Sequence, residues 1–188
     1  MINSIVVDDF LGFSAGTINN HDSVSRYSME QKGVYKILRV ESGMVKITFN
    51  DSNITLKKNQ CLFINSDVSL IISSITDFQM SYVQFKDSCV NKNYDISLLV
   101  KNSKLFDGEK KYNKVSVKEK HTIIINHYLD LLFNLQLSER TNFNFLLFGS
   151  KFLSFNIFIF ILSFFGTKIS NSCIILFCTV LNFTYPSP

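Results

Sequence analysis

The chain has no acidic residue after Glu139, and beyond Arg140 its only charges are Lys151 and Lys168. Histidine is scarce as well, with three in 188 residues, and the four cysteines at 61, 89, 173 and 178 form no CxxC pair and no regular spacing. Each scarcity removes a class of function. Irregular cysteines leave a zinc site or a disulfide framework without support and fit a reduced, cytoplasmic protein. A metal-dependent β-barrel enzyme needs two or three histidines and a carboxylate converging from neighbouring strands. His21, His121 and His127 all lie outside the alternating segment described below, so no metal ligand is singled out. His127 falls in an apolar helical pattern and is expected to be partly buried with a local hydrogen bond.

No run of five or six basic residues accompanies the net charge of +4, so charge alone marks no nucleic-acid surface. The opening MINSIVVDDF has no basic residue and only a short apolar run, unlike a secretory signal. GxSxG, P-loop and GxGxxG motifs are missing, and Asp8-Asp9 would point to opposite faces of a strand. No catalytic residue and no cofactor is therefore expected, and the chain reads as non-enzymatic.

What is present is a segment from Gly33 to Phe85 with the period of a sheet. GVYKILRVESGMVKITF sets Tyr35, Ile37 and Arg39 on one face and Lys36, Leu38 and Val40 on the other, and Ser42-Gly43 permits a tight reversal. Met44 to Phe49 alternates again. Asn50 to Asn53 is a second turn cluster, followed by ITLKKN, CLFIN, Asp67 to Ser73 and FQMSYVQF. Short strands without helical pattern between them predict an antiparallel barrel or sandwich. Upstream, Ser4 to Val7 and Ser23 to Met29 read as strands flanking a Gly- and Asn-containing loop, and residues 87–114 read as a polar connection.

Ser116-Val117-Lys118-Glu119 has the form of a capping box, so a helix is expected from there. Its stripe is Ile124, Tyr128, Leu131 and Leu135, widened by Ile125, Leu129 and Leu132, and the polar run Ser138 to Asn142 ends it. A second helical pattern over 142–155 should lie antiparallel to the first. The expected class is therefore α+β: an antiparallel β barrel or sandwich over 1–90, a connection and two antiparallel helices over 91–155, and an atypical hydrophobic tail over 156–188.

The tail's composition stands apart, since 11 of the 19 phenylalanines fall between 143 and 183. Three readings compete. Membrane insertion needs about 20 apolar residues, and Phe152 to Gly166 is shorter unless Leu146 to Phe148 join across Lys151. A core helix apolar on all sides must be surrounded by protein, and the β unit is expected to offer only one face. The third reading is a stretch translated after a loss of frame, which in an AT-rich gene yields Phe, Ile, Leu, Ser and Asn with few charges. The membrane reading makes the chain a small membrane-associated protein with a C-terminal hydrophobic hairpin and a cytoplasmic β domain.

One residue in the β segment suggests chemistry. The parity of Lys36 with Leu38 and Val40 places an ammonium on an apolar face, where it needs a partner. Such a lysine can pair with the carboxylate of a greasy anion whose tail is desolvated alongside it. Alternatively that face meets solvent, and Lys36 and Lys46 only solubilise it.

The order of parts adds a resemblance. YKILRVESGMVKI is similar to the amino-terminal arm of AraC/XylS-type transcription regulators, in particular their enteric virulence branch, and NFNFLLFGSKFLSF resembles the second arm helix of several members. The resemblance covers roughly residues 30 to 155. It implies a cupin-like ligand-sensing barrel, then helices that serve dimerisation, then a pair of helix-turn-helix units. By it, Lys36 would meet the carboxylate of a bound fatty acid or another small amphipathic ligand, with Tyr35 and Leu38 beside it. The Phe/Ile-rich tail stands where the DNA reader is expected, so DNA binding is carried over to no residue here. The resemblance thus implies a truncated regulator that forms a homodimer, or a heterodimer with a full-length relative, and meets DNA only through the missing domain.

Overall fold

The computed structural model describes residues 2–7, 12–20, 26–88, 100, 104–106 and 109–141. Ten strands and one α-helix occur among them: β1 (Ile2–Ser4), β2 (Phe13–Asn19), β3 (Arg26–Met29), β4 (Val34–Ser42), β5 (Met44–Thr48), β6 (Asn53–Lys57), β7 (Gln60–Ile64), β8 (Leu70–Ser74), β9 (Gln79–Lys86), β10 (Tyr112–Ser116) and α1 (Glu119–Thr141). A 3-10 turn at Lys104–Phe106 precedes β10. The strands form two five-stranded sheets, ordered β1-β3-β8-β5-β6 and β10-β7-β4-β9-β2. All pairings are antiparallel except β1 with β3. Taken without the two outermost additions, β1 and β10, the orders 3-8-5-6 and 7-4-9-2 are those of an eight-stranded jelly roll, the topology of cupins.

Alternation builds the interior between the sheets. Leu38 and Val40 of β4, Leu62 and Ile64 of β7 and Met80 of β9 meet Val45, Ile47, Leu56, Leu70 and Ile72 of the facing sheet, all essentially without exposure. The β4 sheet is also apolar on its other face, where Ile37, Cys61, Phe63, Val83 and Phe85 form a second core with Val100, Leu105, Phe106 and Val117 and with Ile125, Leu129 and Leu132 of α1. The expectation that the β unit offers a single face is thus corrected. β4 is a central strand buried on both sides, which is why VYKILRV is almost continuously apolar.

Three strands depart from their sequence reading. The expected loop before residue 20 is β2, paired with β9 along its whole length. Gly16 looks like a breaker, yet it serves a close approach: a Cβ there would lie 2.6 Å from the Tyr82 hydroxyl oxygen. The polar connection over 87–114 contains the start of β10, which pairs with β7, so the sheet draws a strand from well beyond residue 90. At the amino terminus the strand is Ile2–Ser4 rather than Ser4 to Val7.

The helix starts three residues after the expected cap. Ser116 is the last residue of β10, and the Val117 amide donates to the Asn59 carbonyl (2.7 Å), which continues the sheet contact and leaves Glu119 to open the first turn. Glu119 there suits the positive end of the helix dipole. The buried stripe is Ile125, Leu129, Leu132 and Gln136, with Leu131 half-buried at its edge and Ile124 exposed. The residues expected to widen the stripe, Ile125, Leu129 and Leu132, are those by which α1 packs on the β4 sheet, and the side chains of Tyr128 and Leu135 lie outside the described residues. The second helix expected over 142–155 and the tail over 156–188 lie outside the described residues. Among the described residues no helix is long and apolar enough to cross a membrane.

Gly43, at the β4–β5 reversal, has φ +73° and no room for a side chain, since a Cβ would land on the Asp77 carbonyl. Gly43→Ala combines left-handed strain with a backbone overlap and is expected to cost about 2 kcal/mol, read from urea unfolding. A variant as stable as the parent would show that the hairpin relaxes freely.

Candidate functional site

The Lys36 side chain is fully buried, while Lys46 is exposed, so the two lysines do not share a solvent face. Lys36 points into the sandwich from β4 and turns towards one end of it. There Nζ donates to three backbone carbonyls, those of Val34 (2.8 Å), Val68 (2.9 Å) and Gln31 (3.2 Å). An ammonium carries three donors, and each finds an acceptor here. The cage draws together the start of β4, the turn before it and the β7–β8 loop, which the Val34 amide also joins through the Ser66 carbonyl (3.1 Å). Burial pushes the Lys36 pKa down to about 8, with the Asp67 charge opposing.

Beside Lys36 the interior carries further polar groups. Ser14, Gln84 and Lys36 stand in register across β2, β9 and β4, and Ile64 of β7 continues the row. Gln84 is 0% exposed, and neither its amide nitrogen nor its amide oxygen has a hydrogen-bond partner among the described residues. Two orphaned atoms on one buried side chain are costly, and they mark the place where a further polar partner would be gained. Gln84 and Ser14 were not identifiable from the sequence. In FQMSYVQF both faces read as half apolar, and only the register with β4 sets Gln84 against Lys36.

Tyr35 and Leu38 part company. Leu38 is on the inner face with Lys36, whereas Tyr35 is on the outer one, stacked on Phe85 (centroids 5.2 Å apart) and edge-on to Phe106 (5.1 Å). Burial first, then the charges of Asp87 and Asp67, raise the Tyr35 pKa, against a hydrogen bond with Ser66. The three expected ligand residues therefore do not converge on one surface.

The outer face has its own polar residues. Arg39 is 3% exposed, and its Nη1 donates to the Asn126 Oδ1 of α1. Gln136 Oε1 accepts from the Ala15 amide (2.7 Å), tying α1 to the edge strand β2. Cys61 lies on this face as a buried free thiol pushed up to about 12 by burial, with Arg39 opposing, so it is a protonated packing group rather than a nucleophile. His121 and His127 both lie on α1, outside the sandwich interior, and His127 is exposed rather than partly buried. Among the described residues no three His, Cys, Asp or Glu side chains gather in a way that could hold a metal ion.

The Lys36 shift sets a pH dependence. Below about pH 8 folded and unfolded chains both hold the proton, and the penalty for burying the charge stands in full. Between pH 8 and 10.5 the unfolded chain holds a proton the folded one has lost, so stability rises with pH. Tyr35, with its pKa raised above 10.0, reverses the trend from about pH 10. The urea midpoint is thus expected to climb between pH 8 and 10, and in Lys36→Met the climb should vanish. A parallel climb in both proteins would place its origin elsewhere.

No family model matches the chain, and no curated protein matches it. Among solved structures it is similar to ToxT from Vibrio cholerae bound to (E)-4-(8-methylnaphthalen-1-yl)but-3-enoic acid, at 14% identity and TM-score 0.48 over 81% of this chain and 55% of that one. An apo ToxT variant matches at 12% identity and TM-score 0.45 over 64% of this chain and 47% of that one. The cupin domain of Schizosaccharomyces pombe Cnp3 matches at 17% identity and TM-score 0.39 over 46% of this chain and 65% of that one. The chain spans about half the length of the ToxT structures it matches.

Proposed function

We propose that this chain is the sensing arm of an AraC-type transcription regulator, a non-enzymatic cytoplasmic jelly roll that responds to a small amphipathic carboxylate. The observation that carries the reading is the buried Lys36 ammonium in register with the orphaned Gln84 amide, with Ser14 beyond it, a polar row inside a largely apolar sandwich. A carboxylate at Lys36 would take the place of the Gln31 carbonyl, the longest of the three contacts, and Gln84 would supply a second donor. Leu38 would line the site from the same face, while Tyr35 supports it from the far side of the sheet.

The signal leaves through β4. The strand that carries Lys36 inward carries Ile37 and Arg39 outward, and Arg39 is bonded to α1. A ligand that binds one arrangement of β4 better than another therefore shifts the position of α1. That helix exposes Ile123 (77%) and Ile124, an apolar pair that would serve dimerisation.

Calorimetric titration of the chain with oleate tests the reading. Saturable binding that weakens at least tenfold in Lys36→Met, under conditions where circular dichroism shows both proteins folded, is expected. Equal affinity in the two would remove Lys36 as the anchor. For the dimer, Ile123→Glu is expected to shift the mass measured by light scattering from dimer to monomer.

A further inference from the structure

The outer face of the β1-β3-β8-β5-β6 sheet is not used by the sensing reading and does not depend on it. α1 and the turn at Lys104–Phe106 pack on the other sheet. Among the described residues this face stays open, with Arg26, Lys46, Thr55 and Lys57 exposed. Cross-strand register sets Thr55, Lys46, Ser73, Arg26 and Ile2 in one row over all five strands, from β6 to β1, and Lys57 opposite Met44 begins the next row. Strands about 4.8 Å apart put Lys46 and Arg26 roughly 10 Å from each other, and Lys57, diagonal to Lys46, roughly 7–8 Å from it. No residue of these rows is acidic. Asp51, in the β5–β6 turn, is paired with Lys111, and Glu30 lies beyond the end of β3. Arg26, Lys46 and Lys57 have no ion-pair or side-chain hydrogen-bond partner among the described residues.

The same face carries exposed aliphatic groups. Among the described residues five large hydrophobic side chains are exposed: Ile123 and Ile124 on α1, and Ile2 (51%), Val6 (61%) and Ile75 (47%) here. Val6 alternates with Ile2 and Ser4 while Ile5 packs inward, and Ile75 continues the alternation of Ile71 and Ser73 beside Met44. Cations thus stand between aliphatic groups at the edge and end of the sheet. An anionic bilayer suits that arrangement, since its headgroups attract the cations and its acyl boundary takes the aliphatic side chains. A nucleic acid would meet the same charges, but these rows offer no aromatic ring for a base to stack on and no helix to enter a groove.

We propose that this sheet face docks the protein peripherally on an anionic lipid bilayer, with Arg26, Lys46 and Lys57 against the headgroups and Ile2, Val6 and Ile75 at the acyl boundary. Because α1 packs on the other sheet, a docked molecule turns that helix away from the bilayer.

Sedimentation of the full chain with phosphatidylcholine vesicles, with and without phosphatidylserine, tests this. Binding to phosphatidylcholine alone, to which the apolar residues 156–188 can contribute, is the baseline. Phosphatidylserine is expected to raise binding above it, and added salt to remove the gain. A basic residue near an anionic bilayer is worth roughly fivefold in binding, so Arg26→Glu with Lys46→Glu is expected to lower the gain by at least about 25-fold. Lys110→Glu with Lys118→Glu changes the charge equally away from this face and is expected to keep most of the gain. Ile2→Ser with Ile75→Ser should weaken binding to the mixed vesicles and leave its salt dependence unchanged. Should the charge reversal disturb folding by circular dichroism, Arg26→Gln with Lys46→Gln removes the same cations, and loss of the gain there supports the site. Equal sedimentation with and without phosphatidylserine, an equal loss in the two charge-reversal variants, or salt-sensitive binding to DNA with none to vesicles overturns the proposal.

Discussion

Lys36→Met is expected to lower the stability of the fold by about 3 kcal/mol at pH 7, measured by urea unfolding. The variant nearly conserves volume, so the loss comes from polar groups rather than from a cavity. Three carbonyls, of Gln31, Val34 and Val68, lose their shared donor, and an unsatisfied buried acceptor costs roughly 1–3 kcal/mol. Relief of the desolvated charge offsets part of that. Replacing both sides of a buried polar contact by apolar groups can be neutral, but backbone carbonyls cannot be removed by substitution. The β7–β8 loop, held through Val68, should lose amide-exchange protection first. Stability equal to the parent's would show that the cage is dispensable.

Phe106→Ala is expected to cost about 4 kcal/mol, within the span usual for deleting a buried phenyl ring. Phe106 is buried and meets three other rings edge-on: Tyr35 at 5.1 Å, Phe63 at 5.6 Å and Phe85 at 6.0 Å. Pairs in this geometry add to the area they bury. The short turn it belongs to is also held by a hydrogen bond from the Asn113 side chain to the Leu105 carbonyl (3.0 Å). Phe106→Leu keeps most of the apolar volume and should cost far less. A change in the near-ultraviolet tyrosine signal would report the loosened Tyr35. A loss below about 1 kcal/mol for the alanine variant would mean that the turn is not docked on the sheet as described.

The strands between Val34 and Lys86 were legible because alternation and turn residues act locally. Tyr35, Ile37 and Arg39 against Lys36, Leu38 and Val40 is a consequence of backbone geometry and needs no knowledge of the partner strand. The site was half legible for the same reason. Parity placed Lys36 on an apolar face but could not supply its acceptors, which come from residues 31, 34 and 68. β2 and β10 were hidden because their sequences, FSAGTIN and YNKVS, are weak strand formers held by long-range pairing. The burial of Arg39 was not legible, because nothing near it in sequence announces that α1 covers it.

The sequence by itself determined that residues 33–85 form short antiparallel strands, that Lys36 shares a face with Leu38 and Val40, and that a helix follows the segment beginning at Ser116. These are properties of single strands and of one helical period, written in residues two to four positions apart. Tertiary structure decided that the β4 sheet is buried on both faces, that Lys36 is caged by carbonyls, that Gln84 stands beside it, and that Arg39 lies under α1. Each depends on register between strands far apart in sequence, or on what packs over a face, and a chain read residue by residue carries no measure of either.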